Sequence, residues 1–187
     1  MDKPGISPLP HPLALEKKIQ LDLLRLDAIH PMLSGNKGYK LRYNLEQAKR
    51  EGYTRLLSFG GAYSNHLHAL AYAGMRAGLT TIGLVRGEPH QNNTLDDCRR
   101  WGMDLHFISR SEYKHKTAEP FLQEWQQRFP DAFFIPEGGN SEAGIKGCEE
   151  ILDDRHQAYT HIACAVGTGA TLAGISRTAQ AHQQVLG

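Results

Sequence analysis

The sequence predicts an α/β fold built on open, mainly parallel sheets. Short apolar segments alternate with helix-length segments through most of the chain, and glycines or prolines punctuate the joints between them. The bulk agrees: 187 residues, 40% of them hydrophobic, with 19 glycines, bury a sizeable core in one domain or two small ones.

Pro4, Pro8, Pro10 and Pro12 make the first dozen residues an extended leader. Residues 19–23 alternate apolar and polar side chains as a half-buried strand does, and 24–27 continue it. The turn Ser34-Gly35-Asn36 leads to Lys37. A helix is predicted over 39–51, because Leu41, Leu45 and Ala48 fall at i, i+4 and i+7 on one face. Residues 55–59 are a short apolar strand ending in Gly60-Gly61, and 65–77 a helix ending near Gly78. Strands follow at 80–85, 104–108, 132–135 and 161–166. Helices follow at 94–101, closed by Gly102, at 120–129, stopped by Pro130, at 141–152, and from 171 toward 184. The chain contains no internal repeat and no low-complexity tract.

Composition excludes several classes. The net charge is +1 and the basic residues are scattered, so nothing favours nucleic acid or an anionic membrane as partner. Cys98, Cys148 and Cys164 lie far apart with no Cys-x-x-Cys, which removes zinc-ribbon and thioredoxin readings and fits a reducing, cytoplasmic setting. No apolar region follows the Met1-Asp2-Lys3-Pro4-Gly5 start, so no signal peptide is expected, and no stretch is long enough to span a bilayer. His66 and His68, two apart on a predicted helix, point to different sides and share no metal site.

Three segments have the composition of a ligand site. Ser58-Phe59-Gly60-Gly61-Ala62-Tyr63-Ser64-Asn65-His66 runs from strand to helix, where free N–H groups suit a carboxylate or phosphate. Glycine and a cap are also what any such junction needs, with Ser64 or Asn65 as the cap. Ala165-Val166-Gly167-Thr168-Gly169-Ala170-Thr171 offers backbone N–H groups and two threonine hydroxyls to a phosphate. A nucleotide-binding α/β domain is the rival reading there. It is weakened by Leu172 standing where the third fingerprint glycine belongs, and no Walker lysine follows. The third segment is Ser34-Gly35-Asn36-Lys37-Gly38-Tyr39-Lys40, in which a lone lysine would ordinarily be a solvated surface residue.

The three together, in that order, resemble the fold-type-II pyridoxal-phosphate enzymes, the tryptophan synthase β-like fold. Ser34-Gly35-Asn36-Lys37-x-x-Lys40-Leu41, Phe59-Gly60-Gly61-Ala62-Tyr63-Ser64-Asn65-His66 and Ile135-Pro136-Glu137-Gly138-Gly139 are similar to segments of the 1-aminocyclopropane-1-carboxylate deaminase / D-cysteine desulfhydrase family. The resemblance runs through nearly the whole chain. It implies pyridoxal 5'-phosphate as cofactor, with Lys37 as its Schiff-base and proton-shuttling lysine and Lys40 near its phosphate. It further implies that Asn65 bonds the ring 3-hydroxyl and that Gly167, Thr168, Gly169, Ala170 and Thr171 bind the phosphate. Ser64 is implied to touch the substrate or transfer a proton, and Asn65 and His66 to face the substrate.

His66 stands where the deaminases carry Gln, which favours D-cysteine over the cyclic amino acid as the small amino-acid substrate. The implied product is a 2-oxo acid with ammonia, and the implied assembly a homodimer when full length. The implied division is residues 1–38 as the start of a large domain, 39–140 as a small open-sheet domain, and 141–187 as the return of the large domain. Family members continue past this point, so the large domain is expected to be incomplete, and a non-catalytic remnant that binds the cofactor stays open. Ser34, in place of a glycine, is the one departure inside the lysine motif.

Overall fold

Chain order starts with two elements that the proline-rich leader conceals. The computed structural model describes residues 3–187; Met1 and Asp2, where the expected leader begins, lie outside the described residues. Strand β1 (Gly5–Pro8) pairs antiparallel with β2 (Asp22–Arg25), and between them lies the short helix α1 (Pro12–Glu16). Pro12 sits in the first turn of α1, where its missing N–H costs nothing. The strand expected from residue 19 begins only at Asp22, because Lys18 turns the chain with φ of 54°.

Helix α2 (Lys37–Arg50) opens the alternating part of the chain. After it come β3 (Arg55–Gly61), α3 (Asn65–Ala77), β4 (Thr80–Arg86), α4 (Asn93–Arg100) and β5 (Met103–Ile108). The short α5 (Arg110–Tyr113), α6 (Glu119–Arg128) and β6 (Ala132–Phe134) follow. The strands form one parallel sheet in the order β5-β4-β3-β6. Both faces of this sheet are covered, so β3 and β4 are almost continuously buried rather than alternating. Leu56 and Val85 face α2, α3 and α4, while Leu57, Phe59, Ile82 and Leu84 face Trp125 and Tyr113. Gly74 lets α3 close on β4, since a Cβ there would lie 2.3 Å from Thr81 Cγ2.

The rest comprises α7 (Glu142–Cys148), β7 (His161–Ala163), α8 (Ala170–Thr178) and β8 (Gln184–Leu186), with β7 and β8 parallel. Three expected boundaries move inward here. The helix expected to reach residue 152 ends at Cys148, after which Glu150 N and Ile151 N bond back only three residues. The strand expected to reach 166 ends at Ala163, because its partner β8 is three residues long. The last helix stops at Thr178, whose Oγ1 bonds the carbonyls of Gly174 and Ile175, and Ala179 turns extended. Tyr39, Cys148, Ile151 and Ile175 form a third core with Leu24, Leu26, Ile162 and Val185, joining β2 to α7, α8, β7 and β8. No helix among the described residues is long and apolar enough to cross a membrane.

Candidate active site

Lys37 is the first residue of α2 and Lys40 lies one turn on, so both project from one face. With Asn36 they line a cavity of about 340 Å³ whose far wall is the segment from Ala165 through Gly169, with Thr171. Asn36 ties the walls together. Its Nδ2 donates to Thr171 Oγ1 at 2.6 Å, and its Oδ1 accepts from Lys37 Nζ. Lys40 Nζ donates to Thr168 Oγ1 at 3.4 Å. Gly169 precedes α8 with φ of 88° and no side chain caps that helix, so its first N–H groups keep their donors for another partner. Gly138 completes the cavity with φ of 68°, and a Cβ there would sit 2.8 Å from Thr168 Cγ2.

The electrostatics suit a reactive amine. Burial, and after it the neighbouring Lys40, lowers the Lys37 amine below the ordinary lysine value. Lys40 is itself buried, and burial lowers its amine too. Ala170, the first residue of α8, is fully buried and is not part of the cavity lining.

Ser64, Asn65 and His66 open α3 and do not line this cavity. Ser64 is the N-cap, its Oγ accepting from Leu67 N at 3.2 Å. Gly60 makes room for it, since a Cβ there would lie 2.4 Å from Ser64 Oγ. Asn65 is exposed at the first helical position. His66 turns inward: it is 4% exposed, and Nε2 lies 2.9 Å from Ser58 Oγ. Burial first, then Lys37 and Lys40, hold its imidazole neutral by pushing its pKa down to about 3. Gly139 separates it from α2, for a Cβ on that glycine would sit 3.1 Å from Lys40 Cβ and 3.7 Å from His66 Cε1.

The lysine segment, the Gly167 loop and the Gly138-Gly139 turn therefore meet at one place, with His66 behind them. Two contributors escaped the sequence reading. Asn36 lay inside the lysine motif but had no assigned part. Ser58 is a hydroxyl in a strand buried on both faces, a polar exception that marks a partner.

The family described as pyridoxal-phosphate dependent enzyme matches residues 2–186. A Thermotoga maritima relative, named provisionally a 1-aminocyclopropane-1-carboxylate deaminase, is 33% identical over 76% of this chain and 48% of its own length. The mitochondrial bifunctional D-cysteine desulfhydrase/1-aminocyclopropane-1-carboxylate deaminase of Arabidopsis thaliana is 29% identical over 77% of this chain and 41% of its own. The crystal structure of an ACC deaminase homologue superposes with a TM-score of 0.78 at 27% identity, covering 95% of this chain and 56% of that one. The chain spans about half the length of the curated relatives it matches.

Proposed function

The chain belongs to the pyridoxal-phosphate dependent enzyme family and has its fold-type-II α/β architecture, and from that premise we propose that it serves a deaminase or lyase acting on a small amino acid to give a 2-oxo acid and ammonia. The observation that carries the reading is the convergence of Lys37, Lys40 and the Gly167–Thr171 loop on one cavity. Two lysines, a threonine hydroxyl and uncapped N–H groups fit a phosphate, and a lysine held below its ordinary value fits an aldehyde partner. When bound, pyridoxal phosphate supplies an electron sink for charge released at the substrate α-carbon.

Lys37 is the residue that holds the cofactor and moves protons with its amine. Lys40, with Gly167, Thr168, Gly169, Ala170 and Thr171, binds the phosphate. Asn65 is assigned to the ring 3-hydroxyl and, with Ser64, to the substrate. His66 is assigned to the substrate side as a positioning residue: its buried contact with Ser58 supports a part played through the wall beside Lys40 rather than from an open face. We place the first substrate as D-cysteine and the second as 1-aminocyclopropane-1-carboxylate, the pair of activities borne by the Arabidopsis relative's name. Residues 1–38 and 141–187 are read as parts of a large domain and 39–140 as the small one. The third core, which joins β2 to α7, α8, β7 and β8 and takes Tyr39 from residues 39–140 at the seam, supports that division. A homodimeric, cytoplasmic enzyme completes the proposal.

The test is release of 2-oxo acid from each compound by cofactor-loaded protein restored to the full length of its relatives. D-cysteine is expected to turn over faster, faster turnover of the cyclic amino acid reverses the order, and release from neither removes the function.

A further inference from the structure

The C-terminal edge of the four-stranded sheet carries a second crevice, about 600 Å³, away from the lysines. Arg86 ends β4 in register with Gly61 on one side and Ile108 on the other, so its side chain leaves the sheet where the strand carboxyl ends gather. Arg110 starts α5 just beyond Ile108 and lines the same crevice. Neither guanidinium has a carboxylate at ion-pair distance among the described residues. Arg86 lies over the Tyr113 ring at 5.5 Å. The nearby Glu137 is taken up by Tyr113 Oη at 2.5 Å and by Lys116 Nζ at 3.4 Å. Glu88 also lines the crevice, so its two guanidiniums and one carboxylate leave a single positive charge among its fixed charges. Tyr63, 70% exposed, forms an aromatic wall with His90, whose Nε2 lies 3.0 Å from Tyr63 Oη.

We propose that Arg86 and Arg110 form a binding subsite for a small monocarboxylate at the mouth beside the Ser64–Asn65 turn. One residual charge and a planar guanidinium fork match a carboxylate better than a multiply charged anion. Tyr63 precedes Ser64 directly, so a carboxylate caught here stands next to the turn assigned to the substrate. Service to the reaction rests on the proposed function; carboxylate binding does not.

The probe is propionate, titrated into the full 187-residue chain without cofactor while the arginine Nε–H resonances are followed by NMR. Propionamide and inorganic phosphate are the comparators. Saturable shifts at Arg86 and Arg110 are expected with propionate, none with propionamide, and weaker binding with phosphate. Arg110→Gln should weaken propionate about tenfold, as the loss of one charge-assisted contact does. Arg86→Lys, which keeps the charge and loses the fork, should weaken it less. Arg110 has no side-chain partner among the described residues, so its variant tests binding even if a change at Arg86 upsets Tyr113. An equal response to propionamide, unaltered propionate affinity in folded Arg110→Gln, or tighter phosphate binding would each overturn the assignment. Failure here, where a separately loaded sample still carries the cofactor on Lys37, leaves the enzyme reading standing, and the converse separates them equally.

Discussion

Ser64 does structural and, by proposal, chemical duty with one hydroxyl. As the cap of α3 it satisfies Leu67 N, and losing it through Ser64→Ala should cost ~1 kcal/mol in a urea melt. If the same hydroxyl faces the substrate, turnover in the folded protein should also fall ~100-fold. Normal turnover with the lower melt would leave it a cap and nothing more. His66 makes a second residue-scale claim. Its pKa lies at about 3 in the folded protein against 6.5 for the free side chain, so below 6.5 the unfolded chain binds the extra proton. The stability it contributes is present in full above pH 6.5 and is lost as pH falls toward 3, with a slope approaching ~1.4 kcal/mol per pH unit. Carboxylates titrate in part of that window, so the difference between wild type and His66→Gln isolates the imidazole. Parallel pH–stability curves for the two proteins would mean that His66 is not held neutral. The motif located His66 in the sequence, but not the inward turn of its ring, because Ser58 stands eight residues away and only the closing of α3 on β3 brings them together.

At the scale of elements, the site depends on how closely α2, α7 and α8 stack. Gly147 on α7 abuts α2 so tightly that a Cβ would lie 1.9 Å from Tyr39 O, and a backbone carbonyl inside a helix cannot step aside cheaply. Gly174 does the same between α8 and α7, with Cys148 Cβ 2.5 Å from the position of an added Cβ. Gly147→Ala should therefore cost at least ~1–3 kcal/mol in a urea melt, the range of core overpacking. Gly5→Ala, with nothing within 4 Å of the new atom, should change stability by no more than ~0.5 kcal/mol. An equal effect of the two would refute the close α2–α7 contact.

The elements from β3 to β5 were readable because each carries its own local signals: buried apolar runs, a Ser64 cap, Gly78 and Gly102 as stops. The elements at the two ends were not. β1 and β8 are four and three residues long, and each exists by pairing with a strand outside its own local pattern, β2 for β1 and β7 for β8. Pro8, moreover, argued against a strand that it closes.

Over the whole molecule, residues separated by more than a hundred positions build one cavity, as the Asn36–Thr171 bond across 135 residues shows. The parts of that cavity were legible as the lysine segment, the Gly167 loop and the Gly138-Gly139 turn, while the Ser64–His66 turn lies outside its lining; their convergence came from the resemblance rather than from local pattern. What physics adds is the state of the parts: an amine lowered by burial, a partner lysine beside it, and a helix start left uncapped toward it. The central claim is that this cavity holds pyridoxal phosphate on Lys37. It is tested most directly by loading the protein with the cofactor, fixing the adduct with borohydride and mapping the modified peptide by mass spectrometry. The label is expected on Lys37 and is expected to vanish in Lys37→Ala; a label on Lys40, or on no lysine at all, would contradict it.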